Sequence, residues 1–185
     1  MATQTKRSTQ KKKKEQPLPD NFKALGVAPD LLDILEEEGW DTPTPIQARA
    51  IPTALTGQDV IGVAQTGTGK TGAYLLPIVQ TLDGPADHIR ALILLPTREL
   101  ALQVDEALKK FAPAKGLRHA VVYGGAPIGL QRMALRKGID ILIATPGRLL
   151  DMHNHFVFQW GQLKYLVLDE ADRMLDMGFL PDMEK

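Results

Sequence analysis

Residues 64–71 read AQTGTGKT, and their setting constrains the fold more than any other feature of the chain. They follow an apolar run at 60–64 and lead into helical spacing, the strand, loop and helix order that a phosphate-binding loop requires. The small residues Ala64, Gly67 and Gly69 let backbone N–H groups crowd around phosphate oxygens, with Gln65, Thr66 and Thr68 between them. The helix start adds positive potential at the same point. Lys70 then supplies a point charge for the β- and γ-phosphates of a nucleoside triphosphate, and the Thr71 hydroxyl is suited to magnesium. The usual pattern begins with Gly where this chain has Ala64. The bland alternative, a flexible Gly/Thr turn with a chance Lys, is disfavoured by the flanking patterns.

Four further apolar runs lie at 91–95, 120–123, 139–144 and 165–168. Each is continuous and not alternating, as expected for strands covered on both faces. Helical patterns fill the intervals: Leu100, Val104, Leu108 and Phe111 trace one face. Upstream, Pro29 suits a first helical position, Leu31, Leu32 and Leu35 recur on one side, Gly39 can terminate, and Thr44-Pro45 starts another helix. Strand and helix in repetition predict an α/β domain with a mostly parallel sheet, helices on both faces, and a ligand site at the carboxyl ends of the strands. Pro77, inside the helix expected after residue 70, predicts a kink.

At 185 residues and 44% hydrophobic, the chain is sized for one well-buried domain. Its formal net charge of zero hides an asymmetry. Residues 1–14 hold six basic side chains (Lys6, Arg7, Lys11, Lys12, Lys13, Lys14) and no acid, against 16 basic and 22 acidic in the remainder. Residues 1–20 have little apolar surface to offset the entropy of ordering, so they are expected to form a disordered arm. The Lys run reads as nucleic-acid contact, a nuclear address or a solubilising tail. No apolar run approaches the roughly 20 residues of a membrane span, which predicts no membrane partner and a cytoplasmic or nuclear location. There is no cysteine, hence no disulfide and no cysteine metal site.

Asp169-Glu170 closes the last apolar run, so both carboxylates emerge where the loop's phosphates would lie. Asp169 is placed to hold magnesium directly or through water, and Glu170 to orient and deprotonate an attacking water. Two acids after a strand would by themselves suggest a helix start exploiting its dipole; paired with the loop, the catalytic reading is favoured. His153 and His155 flank Asn154 but lack acidic or cysteine partners at ligand spacing. Met174, Met177 and Phe179 read as packing residues, and Trp40 as core or as a neighbour of an adenine pocket.

Asp169-Glu170-Ala171-Asp172 resembles the signature of the DEAD-box RNA helicases, and residues 22–179 follow that family's motif order. Pro43-Thr44-Pro45-Ile46-Gln47, with Phe22 seventeen residues before Gly39, resembles its adenine-recognising Q motif, spanning about 20–48. The resemblance implies that Gln47 reads the adenine edge and Phe22 stacks on the base, making ATP the cofactor with Mg2+. Pro96-Thr97-Arg98-Glu99-Leu100, Gly124-Gly125 and Thr145-Pro146-Gly147-Arg148 resemble the RNA-contacting motifs. Each follows an expected strand, so helix N-termini, hydroxyls and Arg98 or Arg148 would meet sugar-phosphate oxygens without reading sequence. Thr145-Pro146 also reads simply as an N-cap followed by Pro at the first helical position.

The implied fold is a RecA-like P-loop NTPase domain over 21–185. The resemblance further implies a second α/β domain that supplies arginines to the ATP phosphates, and a Ser-Ala-Thr segment, neither of which occurs in this sequence. The expectation is a first domain incomplete at its C-terminus, lacking its last strand or strands. It should bind ATP with little turnover alone, the parent coupling ATP hydrolysis to RNA duplex unwinding. The alternative is a non-enzymatic RNA- or partner-binding fragment, and a metabolic P-loop kinase is disfavoured by the Q-type motif.

Overall fold

The computed structural model describes residues 18–154, 158 and 160–183. The expected N-terminal arm therefore lies almost wholly outside the described residues, as does His155. Element order is α1 (Pro29–Glu37), α2 (Pro45–Leu55), α3 (Lys70–Thr81), β1 (Ala91–Leu94), α4 (Arg98–Phe111), β2 (His119–Val122), α5 (Ile128–Arg136), β3 (Ile141–Ala144), α6 (Pro146–His153), β4 (Tyr165–Leu168), α7 (Ala171–Asp176) and α8 (Leu180–Met183).

The four strands form one parallel sheet in the order β2, β3, β1, β4. Leu92 on β1 pairs with Leu142 on one side and Leu166 on the other. Alternate side chains feed two cores, as the period of two along a strand dictates. Ala91, Ile93, Ile141 and Ile143 pack beneath α1, α3 and α4, with Leu31, Leu75, Leu108 and Phe111. Leu92, Leu94, Leu142 and Ala144 pack on the opposite face against Leu135, Leu149, Met152 and Met174. This double cover explains the continuous runs of β1 and β3, whose residues are all buried, while the edge strands β2 and β4 are covered less and Leu166 and Leu168 of β4 are exposed.

Local chemistry sets the helix ends. Proline occupies the first turn of α1, α2 and α6, where its missing N–H has no helical partner to lose. At the end of α1, Gly39 (φ 69°) lets Trp40 N–H reach back to Leu35 O at 2.7 Å. Pro77 sits buried inside α3, which runs on to Thr81. Asp140, fully buried between β1 and β2, accepts from Ala86 N–H (2.6 Å), Arg118 N–H (2.8 Å), Arg90 Nη2 (2.9 Å) and Arg118 Nε (3.2 Å). Burial pushes its carboxyl up, but these hydrogen bonds, Arg118 N–H first, outweigh that and hold it below the ordinary carboxylate value.

The run at 60–64 is not a strand, and this corrects the sequence reading. Ile61 is 97% exposed and Val63 95% exposed. The segment faces β4 across a cleft of about 360 Å³ lined by Ile46, Ala50, Val60, Gly62, Leu166 and Leu168. An extended run becomes a strand only where another backbone meets its N–H and C=O groups, and none does so here. Composition at 60–64 was read correctly, but pairing is a non-local property that the run does not carry.

Candidate functional site

The loop between the 60–64 segment and α3 turns on two glycines in the left-handed region, Gly67 (φ 83°) and Gly69 (φ 91°). Gly69 could not carry a side chain in any case: an added Cβ would lie 2.7 Å from Gln47 Nε2. At Gly72 the same atom would lie 2.5 Å from the Trp40 ring. The loop and the first turn of α3 thus rest directly on α2 and Trp40. Gln47, 2% exposed, fastens them: its Oε1 accepts Thr44 N–H at 2.8 Å and its Nε2 donates to Gly69 O at 3.1 Å. Loop anchoring is a role for Gln47 that sequence reasoning missed. A primary amide offers four hydrogen-bonding positions, so one N–H and one lone pair remain after these two bonds.

Asp169 sits at the end of β4, where its N–H closes the ladder on Leu94 O at 3.0 Å. Its Oδ1 accepts from Glu170 N–H at 3.0 Å and its Oδ2 from Tyr74 Oη at 3.0 Å. Burial above all, then the Asp169 charge, pushes the Tyr74 hydroxyl well above its ordinary pKa, so the phenol stays a donor. Glu170 is the only non-glycine with positive φ (52°) among the described residues. Such a conformation costs of order 1–3 kcal/mol and collects at functional sites. It turns the side chain toward the loop, where Oε1 accepts from Thr66 Oγ1 at 3.3 Å, while Oε2 meets Arg173 Nη1 at 3.3 Å. Lys70, Tyr74 and Asp169 line the cleft beside β4. Thr68 Oγ1 is turned inward onto Gln65 O at 2.6 Å.

A second cavity, about 420 Å³, lies beyond the ends of β1, β2 and β3, and Pro96, Arg98, Gly124, Thr145, Gly147 and Arg148 line it. Residues from three separate segments are therefore brought together. Thr97 Oγ1 caps α4 by accepting Leu100 N–H at 3.4 Å, and the Arg98 guanidinium stands 4.9 Å from the centre of the Tyr123 ring. Arg148 Nη1 donates to Ala126 O at 3.0 Å, and its Nε lies 3.6 Å from Asp151 Oδ2. Gly125 is exposed beside Gly124, whereas Pro146 is buried. Thr145 holds the N-cap position of α6 without a side-chain cap bond. Asp151 and Phe179 also line this cavity and were not foreseen there.

Other expectations divide. Phe22 is 4% exposed within the main core, beside Leu25 and Val27, so no open ring face is presented for stacking. Trp40 packs edge-on against Phe111 at 5.7 Å, which favours its core reading. Met174 is buried, but Met177 is 49% exposed and is not a packing residue. His153 stacks on Phe158 at 6.2 Å, and no group of three or more potential His, Cys, Asp or Glu metal ligands occurs among the described residues. No helix among them is long and apolar enough to cross a membrane.

The sequence pattern of the DEAD/DEAH box helicases matches residues 44–185, which include both cavities and the loop between them. The chain belongs to that family. It is 48% identical over 163 residues to the ATP-dependent RNA helicase CshA of Limosilactobacillus reuteri, covering 88% of this chain and 33% of that protein. Among solved structures it resembles a DEAD box protein from the hyperthermophile Methanococcus jannaschii (TM-score 0.84, 38% identity, 91% of this chain and 46% of that one). It also resembles the RNA-helicase Prp28 from Chaetomium thermophilum bound to ADP (TM-score 0.83, 42% identity, 94% and 44%). The chain spans about a third of the length of the curated relatives it matches. As a DEAD/DEAH box domain its parallel sheet is the RecA-like scaffold that the motif order implied.

Proposed function

We propose that this chain is the ATP-binding first domain of an ATP-dependent RNA helicase. The observation that carries the reading is the convergence of a glycine-turned loop with two carboxylates. Thr66 and Glu170, 104 positions apart, are in contact, and Lys70 and Asp169 line one cleft. Backbone N–H groups of residues 66–70 and the start of α3 would receive the phosphates. Lys70 would neutralise charge at the β- and γ-oxygens.

The donor set fits magnesium: Thr71 offers a hydroxyl and Asp169 a carboxylate, both hard oxygen ligands, while two protein groups leave room for phosphate oxygens and water. When bound, the ion would offset charge on the β- and γ-phosphates. Glu170 would orient a water in line with the γ-phosphate and accept its proton, each of its oxygens keeping a lone pair beside its bond to Thr66 or Arg173. Arg98, Arg148 and the N-termini of α4 and α6 would hold an RNA backbone in the second cavity, without reading bases.

Turnover should need more than this chain supplies. Arginine fingers in related nucleotide hydrolases raise rates by about 10³ to 10⁵. Among the described residues, Arg173 is the guanidinium in contact with Glu170, and it is held there as an ion pair at 3.3 Å. The test is RNA-stimulated phosphate release by residues 1–185, alone and with a family second domain added in trans. Release only in the mixture supports the reading. Turnover of about 1 per second or faster by the chain alone, abolished by Glu170→Gln, contradicts it. RNA binding without ATP binding would favour a non-enzymatic fragment instead.

A further inference from the structure

Tyr74 lies on α3, three residues after Thr71 and four after Lys70, so all three share one side of the helix that the loop opens. Its hydroxyl donates to Asp169 Oδ2 at 3.0 Å and ties α3 to the end of β4 across 95 positions. The phenol therefore touches the carboxylate to which the proposed function assigns magnesium, from the same helix that carries Thr71. Glu170 N–H holds the other carboxylate oxygen, Oδ1, at 3.0 Å, so the carboxylate is fixed at both ends. Each oxygen still has a lone pair for a further partner. A phenylalanine would fill the same space and lack only the atom that makes the contact to Asp169.

We propose that Tyr74 is a positioning residue whose hydroxyl ties the Asp169 carboxylate to α3, the helix that carries Thr71, before the ligand arrives. The inference rests on the nucleotide reading of the site. Magnesium demands near-ideal octahedral geometry and dehydrates reluctantly, so a carboxylate free to rotate weakens the metal-dependent part of binding. The loop's own contacts to phosphate oxygens do not involve the phenol and should survive its loss. A residue serving only the packing of α3 would behave differently, affecting nucleotide binding with and without metal alike.

The experiment titrates the whole 185-residue chain with a fluorescent ATP analogue across a series of magnesium concentrations and without metal. Wild type, Tyr74→Phe, Asp169→Asn and the double variant are compared. In Tyr74→Phe the magnesium concentration for half-maximal binding should rise about tenfold, the lower end of what losing an outer-shell partner costs. Metal-free affinity should stay within about twofold of wild type, which also reports an intact fold, and Tyr74→Phe should add nothing in the Asp169→Asn background. An unchanged magnesium midpoint overturns the inference, as does an equal loss with and without metal, or an effect of Tyr74→Phe that persists in the double variant. If wild type itself shows no magnesium-dependent binding, the nucleotide reading fails and this inference with it.

Discussion

Gln47 Nε2 donates to Gly69 O at 3.1 Å, so the side chain that family resemblance assigns to adenine also clamps the phosphate loop from below. The two roles predict different selectivity. Removing the clamp takes one of two hydrogen bonds from Gly69 O, which keeps Ala73 N–H at 3.2 Å, and strips Thr44 N–H of its side-chain acceptor, at a cost of about 1 kcal/mol per bond. Gln47→Ala should therefore weaken GTP by about fivefold or more through the loop, and ATP by more still. Paired titrations with fluorescent ATP and GTP measure both losses. A loss confined to ATP would leave the amide with base recognition only.

Asp140 makes a prediction about acid stability. Its folded carboxyl lies below the ordinary value, held there by Arg118 and Ala86 N–H against the cost of burial. A carboxyl that titrates below its unfolded value of about 3.9 contributes stability fully present above that pH and lost as pH falls through the folded value. Asp140→Asn should lower stability at neutral pH by about 3 kcal/mol, because Arg90 is left buried without its charge partner. Thermal melts from pH 7 to pH 3 should show wild type falling more steeply below pH 4 than the variant. Parallel curves would mean that Asp140 is not the group titrating.

Much of this molecule could be read in advance where the signal is local. The apolar runs at 91–95, 139–144 and 165–168 coincide with β1, β3 and β4 to within two residues; burial on both faces forces continuous hydrophobicity at β1 and β3, whereas Leu166 and Leu168 of β4 are exposed. Thr97 and Thr145 were legible as helix starts, although only Thr97 makes the side-chain cap. What could not be read was pairing at a distance. Nothing near 60–64 signals the lack of a neighbour, and nothing near Tyr74 names Asp169. A signal existed for Tyr74, a lone hydroxyl in the apolar stretch Ala73-Tyr74-Leu75-Leu76 one turn after Lys70, but its partner lies 95 positions on.

The Arg98 and Arg148 cavity predicts sequence-independent binding. Arg98→Ala should weaken single-stranded RNA of every sequence alike and reduce the salt slope by about 0.7 per phosphate released. Deleting residues 1–14 should reduce that slope by up to about 4 if all six basic side chains meet phosphates. Fluorescence anisotropy over a salt series measures both. A loss confined to particular RNA sequences would count against backbone contact, and an unchanged slope on deletion would make the tail a solvated, solubilising one.

Ile61, Val63, Leu166 and Leu168 leave apolar side chains in solvent around the cleft beside β4, whose outer edge is unpaired. Unpaired edges and exposed apolar surface promote association. Residues 1–185 should elute from a sizing column as a concentration-dependent mixture and bind an apolar dye. Ile61→Lys with Val63→Lys should shift it toward monomer. A sharp two-state melt with a monomeric profile for wild type would mean that the 60–64 segment closes onto β4 in solution.

Equilibrium titration of residues 1–185 with fluorescent ATP in magnesium asks whether the loop, Lys70 and Asp169 form one nucleotide site. Saturable binding in the micromolar range is predicted, reduced at least tenfold by Lys70→Ala and by removal of the metal with a chelator. Binding that is absent in wild type, or that neither Lys70→Ala nor the chelator weakens, would mean that these residues do not form a nucleotide site.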